Sequence, residues 1–528
     1  MKKSFKYVPL LIGVALAAGI FIGSKLNFAD TTERIFATNS KKDKLNRLID
    51  YIDFEYVDRI NTDSIVDVTV NSILKNLDPH SVYIPVSEYQ SVAEDMRGRF
   101  VGIGVSFYIY NDTVAVISTI DGGPAEKAGI KPGDRILYAN DKPLYGEYSE
   151  RDTITSTLRG ALNSKVNLKV FRNSENREFD ISLTRKEVAL KSVDAGFKIN
   201  EKLGYIKVNR FAETTYDEFR GVLKKLVDSG MESLILDLRD NPGGYVFAAE
   251  RILDELLPRG TLILKTKNNK GVVESTQTKR KGLFENGNIY VLVNENSASA
   301  SEIIAGALQD NDVGTIIGRR TYGKGLVQRE MALGDGSAVR LTVARYYTPT
   351  GRSIQRPFSN GDRSYFREYQ QRYRNGELIS ADSISVNDTL KFVTPKGRIV
   401  YGGGGILPDI FVAKDISDES EVIGFVSRSG FVNYFVFEHL DKQRKVYETY
   451  NAETFLENYE VSGDLFLEFI EYSRLNESNL QFQEYEDMVK LHIKAAMADQ
   501  LFGGDYYEKI ISQKDPMIEK VLELEARN

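Results

Sequence analysis

The spacing of apolar positions changes several times along this chain, and each change marks a different kind of structure. Lys2, Lys3 and Lys6 precede an uncharged apolar run from Tyr7 to Gly23, about 17 residues and near the lower limit for spanning a bilayer. Leu45, Leu48, Ile49 and Ile52, then Ile65, Val68, Ile73 and Leu77, recur at helical spacing. They predict two polar-faced helices, the second ended by Asp78-Pro79. From Gly98 to about Arg185 the texture shifts to short strands and glycine turns. Phe100 to Tyr110 and Thr113 to Thr119 predict a hairpin around Asn111-Asp112. In the stretch from Gly123 to Ile136 a short helix closed by Gly129 leads through Pro132-Gly133 into a strand.

From about residue 186 to 410, strands alternate with helices, the α/β signature. Strands are expected at Gly204–Val208, Leu234–Leu238, Ile289–Val293 and Thr315–Gly318, with helices at Tyr216–Val227, Tyr245–Leu257 and from Ser301 to Leu308. A short strand after Gly405 completes this region. Beyond about 415 the chain is charged, tyrosine-rich and mostly helical, and no internal repeat occurs.

Composition narrows the chemistry. With 528 residues the chain exceeds what one core usually spans, so several domains are expected. A net charge of −6 gives no basic field for nucleic acid. The absence of Cys removes disulfides, thiolate metal sites, a cysteine nucleophile and a lipoprotein anchor. The three His (His80, His439, His492) are widely separated, read as structural or surface residues, and give no metal-ligand spacing. Neither a metal nor another cofactor is expected. Positive charge ahead of the apolar run places the N-terminus in the cytoplasm and the bulk across the membrane. An uncleaved anchor is expected. The alternative is a signal peptide cut near Ala15-Leu16-Ala17, which would release the rest.

Three segments can carry chemistry. Asn294 to Glu302 joins a buried strand to a helix, and a serine there, Ser299, can project its hydroxyl from the sheet edge. The N–H groups that follow, unpaired in a first helical turn, can stabilise an oxyanion. Ser299-x-x-Glu302 fits a helix capping box equally well. Lys324, flanked by Gly323 and Gly325, would share one face of an extended strand with Leu326 and Gln328. A lysine serves as general base only when neutral, which requires desolvation, and Gln328 can orient its amine. With no Cys, and no His near either segment, a Ser–Lys pair is the remaining route to an activated nucleophile. The third segment, Asp237 to Gly244, is a glycine turn that supplies a second oxyanion donor or is simply a turn.

The stretch from Gly98 to Arg185 resembles a PDZ domain. That resemblance implies a peptide groove beside Gly102-Ile103-Gly104-Val105, where backbone N–H groups meet a terminal carboxylate and the adjoining strand accepts the peptide. More broadly, Asp-Leu-Arg-x-Asn-x-Gly-Gly from Asp237, Ser297-Ala-Ser-Ala-Ser-Glu302 and Gly323-Lys-Gly-x-Val-Gln328 resemble, in order, the motifs of the carboxy-terminal processing (tail-specific) protease family. Leu341 to Pro349 and Gly405-Ile-Leu-Pro-Asp-Ile410 extend the likeness, which covers roughly residues 40 to 412.

The resemblance implies an α/β multidomain fold: a ClpP/crotonase-like catalytic core with an inserted β-rich PDZ domain and helical N- and C-terminal segments. It further implies endoproteolysis of exported proteins near their C-termini. Ser299 becomes the nucleophile, Lys324 the general base and Gln328 its orienting partner, with Gly243 and Ala300 N–H as the oxyanion hole. Leu77 to Ser81 becomes a structural motif, so His80 is not the base. The expected layout is 1–30 anchor or signal, 31–97 helical, 98–185 PDZ-like, 186–412 protease core with a polar insertion at about 356–395, and 413–528 helical extension. Expected partners are protein or peptide substrates with free C-termini and the membrane, with a homo-oligomer or an adaptor protein left open. The expected place is the cell envelope, anchored in the inner membrane with the catalytic part in the periplasm or outside.

Three rivals are weaker. Gly318-x-x-x-x-Gly323-Lys324 is nearly a P-loop but has Gly325 where a Mg²⁺-binding Ser or Thr is needed. Ser72-x-x-Lys75 lacks the further motifs of a penicillin-binding enzyme. A PDZ adaptor that binds C-termini without cutting them is the non-enzymatic alternative.

Overall fold

The computed structural model describes Gly13 and residues 40–148, 150–358, 364–428, 430–447, 449–475 and 482–527. Apart from Gly13, the apolar run read as an anchor lies outside the described residues. Among the described residues no helix is long and apolar enough to cross a membrane.

The chain divides into two units, Met1–Asn76 and Leu77–Asn528. The first holds the two expected helices, Ser40–Glu55 and Thr62–Lys75. Asn61 caps the second by accepting from the Ser64 N–H.

In the second unit a six-stranded antiparallel sheet forms the PDZ-like region. Its first hairpin pairs Val105–Tyr110 with Thr113–Thr119. Asn111 and Asp112 both adopt positive φ (47° and 53°), as a two-residue turn matching the strand twist requires. The expected strand from Phe100 to Tyr110 is in fact broken. Arg99–Gly102 turns away to pair with Lys186–Ala189, and the break falls at Gly104, with φ of 79°. Val105–Tyr110 is left as an edge strand.

The protease region is built on a second six-stranded sheet. In spatial order it runs Val193–Lys198, Leu203–Val208, Ser233–Asp237, Asn288–Val293, Gly314–Gly318 and Ile410–Phe411, parallel except for the first pair. A parallel sheet must be covered on both faces. Helices Thr215–Asp228, Val246–Leu256 and Ala300–Asp310 cover one face through Phe219, Leu223, Ile252, Ile304 and Leu308. The other face, with Ile235, Tyr290, Leu292 and Ile317, is covered by Met517, Ile518 and Val521 of helix Pro516–Glu525. The far end of the chain therefore completes the core of the protease region.

The C-terminal helices also have an apolar core of their own and reach the PDZ-like sheet. Tyr434 stacks on Tyr108 at 4.2 Å between centroids, and Asp441 pairs with Arg135 at 2.8 Å. The polar insertion is ordered into helix Ser364–Arg374 and a small hairpin, Lys391–Val393 with Ile399–Tyr401.

Arg352 fixes the segment after the Tyr-Thr-Pro strand. Its side chain is wholly buried and donates to Tyr401 O (2.8 Å), Gln309 Oε1 (2.7 Å) and Asp310 Oδ1 (2.7 Å). Removing one partner of such a pair leaves a buried charge, at a cost of about 3–5 kcal/mol. Arg352→Met should lower the urea midpoint of the protease region accordingly, and adding Asp310→Leu should recover part of the loss.

Candidate active site

The loop after strand Asn288–Val293 sorts its serines by what they bond. Ser297 Oγ donates to Leu238 O at 2.7 Å, and Ser301 Oγ donates to Asn241 O at 3.0 Å. Both are fully buried ties to the glycine turn. Ser299, between them, is only half-buried, and its backbone is held at φ 57°, ψ −111° as helix Ala300–Asp310 begins. A non-glycine residue in that region is strained and persists only where its surroundings fix it.

Gly243 is one such constraint. A Cβ there would lie 2.7 Å from Ser299 Cβ and 2.8 Å from Ala298 O, so only glycine lets the two turns touch. Its N–H, expected as an oxyanion donor, already has a side-chain partner. Gly243 N–H donates to Asn241 Oδ1 at 2.9 Å, since the Asn side chain folds back into a local turn, and so it is engaged in this state. Among the described residues, the N–H groups of Ala300 and Gly244 take no backbone partner.

Lys324 lies in the loop just before strand Leu326–Ala332 rather than on it. The strict alternation expected from Lys324 to Gln328 is broken by an irregularity between Val327 and Gln328. The side chains still meet: Lys324 Nζ donates to Gln328 Oε1 at 2.8 Å, and Gln328 Nε2 donates to His80 O at 2.5 Å. Burial pushes the Lys324 ammonium below the usual lysine range, with nearby Arg340 in the same direction and Glu302 and Asp78 opposing. The flanking glycines have reasons of their own: Gly323 adopts φ of 90° with a Cβ position 3.1 Å from Gly405 N, and a Cβ at 325 would lie 2.9 Å from Gln355 N. Among the described residues no hydrogen bond joins Lys324 Nζ to Ser299 Oγ.

Two buried side chains tie the serine loop to the lysine loop, and neither was legible as more than local structure. Glu302, read from sequence as a capping partner, accepts from Ser299 N–H (2.9 Å) and Lys324 N–H (2.9 Å) on Oε2. Its Oε1 accepts from Gly323 N–H (2.7 Å) and Thr321 Oγ1 (2.5 Å). Tyr346, also buried, directs its hydroxyl at Lys324 O (2.8 Å) and Ser299 O (3.2 Å). An acid just ahead of the apolar helix face of Ile303, Ile304, Ala307 and Leu308 was the available sequence signal for Glu302.

At the PDZ-like sheet, Ile103 is buried, and Ile103 O and Gly104 O accept from Ala125 and Ile120 N–H. Gly102 closes its strand and Val105 opens the edge strand, while Arg151 of helix Arg151–Leu158 sits 5.9 Å from the Phe107 ring. The histidines are structural: His80 and His492 are each lowered to about 4 by burial, and His439 bonds Tyr447. Among the described residues no group of His, Asp or Glu could hold a metal ion.

The sequence matches peptidase family S41 over residues 202–360, a PDZ domain over 101–183 and a family of unknown function over 423–503. A CtpA-like serine protease of Staphylococcus aureus (strain N315) is 33% identical over 362 residues, covering 67% of this chain and 71% of the relative. A carboxy-terminal-processing protease of Bartonella bacilliformis is 31% identical over 354 residues, covering 66% and 80%. Among solved structures, a photosystem II D1 C-terminal processing protease is 26% identical, covering 69% and 84%, with a TM-score of 0.34. The chain belongs to peptidase family S41, the carboxy-terminal-processing proteases, and is a serine-type peptidase carrying a PDZ domain.

Glu302 gives a sharp test. All four of its partners donate, so both oxygens must accept. Glu302→Gln changes almost no volume but turns an NH₂ toward two donors. Cleavage should fall by about a hundred-fold or more through misplacement of the two loops. Steady-state kinetics on protein with an unchanged circular dichroism spectrum would check this.

Proposed function

We propose that neutral Lys324 is the general base for Ser299 in an endopeptidase that takes substrates by their carboxyl ends. One observation carries this reading: Glu302 and Tyr346 fasten the backbones of Ser299 and Lys324 together, while the lysine amine is buried and held by a neutral amide. As Ser299 Oγ attacks the scissile carbonyl, its proton passes to Lys324 Nζ and then to the leaving amine. Water hydrolyses the acyl-enzyme by the same route in reverse. Ala300 N–H faces the developing oxyanion. The second donor is Gly243 N–H once Asn241 releases it, or Gly244 N–H.

The PDZ domain contributes an edge strand, Val105–Tyr110, open to strand addition, with Gly102 to Val105 at its carboxylate end. Binding there raises the local concentration of substrate at the protease site. The cationic, apolar N-terminus supports an enzyme tethered to the inner membrane and working in the cell envelope, beyond the cytoplasm.

Ser299→Ala and Lys324→Ala should each abolish cleavage of a peptide with an apolar C-terminus. A fully active Lys324→Ala enzyme would refute the base assignment. Because the base must be deprotonated, kcat/KM should rise with pH along a limb whose midpoint lies below 10.5, the ordinary lysine value. Amidating the substrate's C-terminus removes a charged hydrogen-bond acceptor, and kcat/KM should drop about ten-fold or more in a pH-matched assay.

A further inference from the structure

The polar insertion lies against the lysine loop. Residues 320–322 lead into Gly323-Lys324 outside any strand or helix, so side chains must satisfy their carbonyls. Arg372, buried in helix Ser364–Arg374, does so: its guanidinium donates to Arg320 O (3.2 Å), Thr321 O (2.9 Å) and Tyr322 O (3.5 Å). Glu377, just beyond that helix, clamps the Arg320 guanidinium through both oxygens at 2.6 and 2.7 Å.

A second line of contact runs from the same helix to the partner of the lysine amine. Tyr365 Oη lies 2.7 Å from His80 Nε2, and the carbonyl of His80 holds Gln328. The proton on this bond can be assigned. Gly325 N–H fixes Gln355 Oε1, so Gln355 Nε2 faces Tyr365 Oη, while the Arg356 guanidinium lies over the Tyr365 ring. Gln355 Nε2 is a donor only, which leaves His80 Nε2 as the acceptor for the phenolic proton. Burial keeps His80 neutral and Tyr365 protonated, consistent with that direction. Arg356 fills the remaining space, 4.1 Å from the Tyr322 ring centroid and 3.9 Å from that of Tyr365.

We propose that helix Ser364–Arg374 is a positioning element for the base, with Tyr365 acting through His80 on Gln328 and Arg372 acting through residues 320–322 on Lys324. This rests on Lys324 being the base. The insertion then belongs to the catalytic apparatus, although none of its described residues hydrogen-bonds the side chain of Ser299 or Lys324.

The test compares Tyr365→Phe, Arg372→Met and Lys324→Ala in the full chain with one peptide substrate. Tyr365→Phe keeps the ring and removes only the hydroxyl. It should lower kcat about ten- to hundred-fold with little change in KM. The acid limb of kcat/KM should also move to higher pH, as the loosened lysine gains water. Arg372→Met should do the same, with partial recovery in Arg372→Lys; if it does not fold, Tyr365→Phe decides. Wild-type kcat in Tyr365→Phe, or a lower kcat with an unmoved acid limb, would overturn the proposal. An active Lys324→Ala would overturn both this and the base assignment. An inactive Lys324→Ala beside an unaltered Tyr365→Phe would remove only the insertion's role.

Discussion

The arrangement of the site depends on a single buried carboxylate. Glu302 sits in the first turn of the helix that follows Ser299 and has no access to solvent. Four donors, from Ser299, Thr321, Gly323 and Lys324, fill its two oxygens. Burial pushes its pKa above the usual carboxylate range, and the four donors limit that rise by favouring the anion. An uncompensated carboxylate at this depth would be intolerable, so the two loops must stay where their N–H groups reach it. The strained φ of Ser299 and the glycines on either side of Lys324 are consequences of that geometry.

A general base built from lysine faces opposing demands. It must be buried enough to lose its proton, yet every buried N–H needs an acceptor. Gln328 meets both, because an amide oxygen accepts from the amine without the charge that would stabilise an ammonium. A carboxylate at 328 would raise the lysine pKa and work against its proposed role. The two carboxylates that do act on Lys324, Glu302 and Asp78, are occupied by their own donors: Asp78 accepts from His80 N–H, Ser81 N–H and Ser81 Oγ.

Much of this was legible from local pattern. Alternation located the hairpin at Asn111-Asp112, and buried runs located the four inner strands of the protease sheet, because in both cases the signal is carried by neighbours in sequence. The glycines at 243, 323 and 325 were visible as anomalies, but their reasons are contacts with residues 299, 405 and 355. The same distance hid the role of Glu302 and the break at Gly104, whereas the engagement of Gly243 N–H by Asn241 is a local turn that the residue types alone leave open. Nothing local to residues 516–525 indicates that Met517, Ile518 and Val521 cover the second face of a sheet more than 100 residues away.

That last contact changes how the C-terminal extension is understood. Arg239, two residues before Asn241, binds the fully buried Asp237 and also Asp515, whose side chain caps helix Pro516–Glu525. Tyr205 adds a hydrogen bond to Asp237, and Lys207 on the same strand pairs with Glu508. The turn that touches Ser299 is therefore braced on one side by the Ser299 loop and on the other by helix Pro516–Glu525. The same extension stacks Tyr434 on Tyr108 of the PDZ edge strand. The extension thus contacts both the PDZ edge strand and the Asp237–Gly244 turn, and so links the two regions. Displacing that strand relative to the turn would strain or break the part-buried Arg135–Asp441 and Arg239–Asp515 pairs.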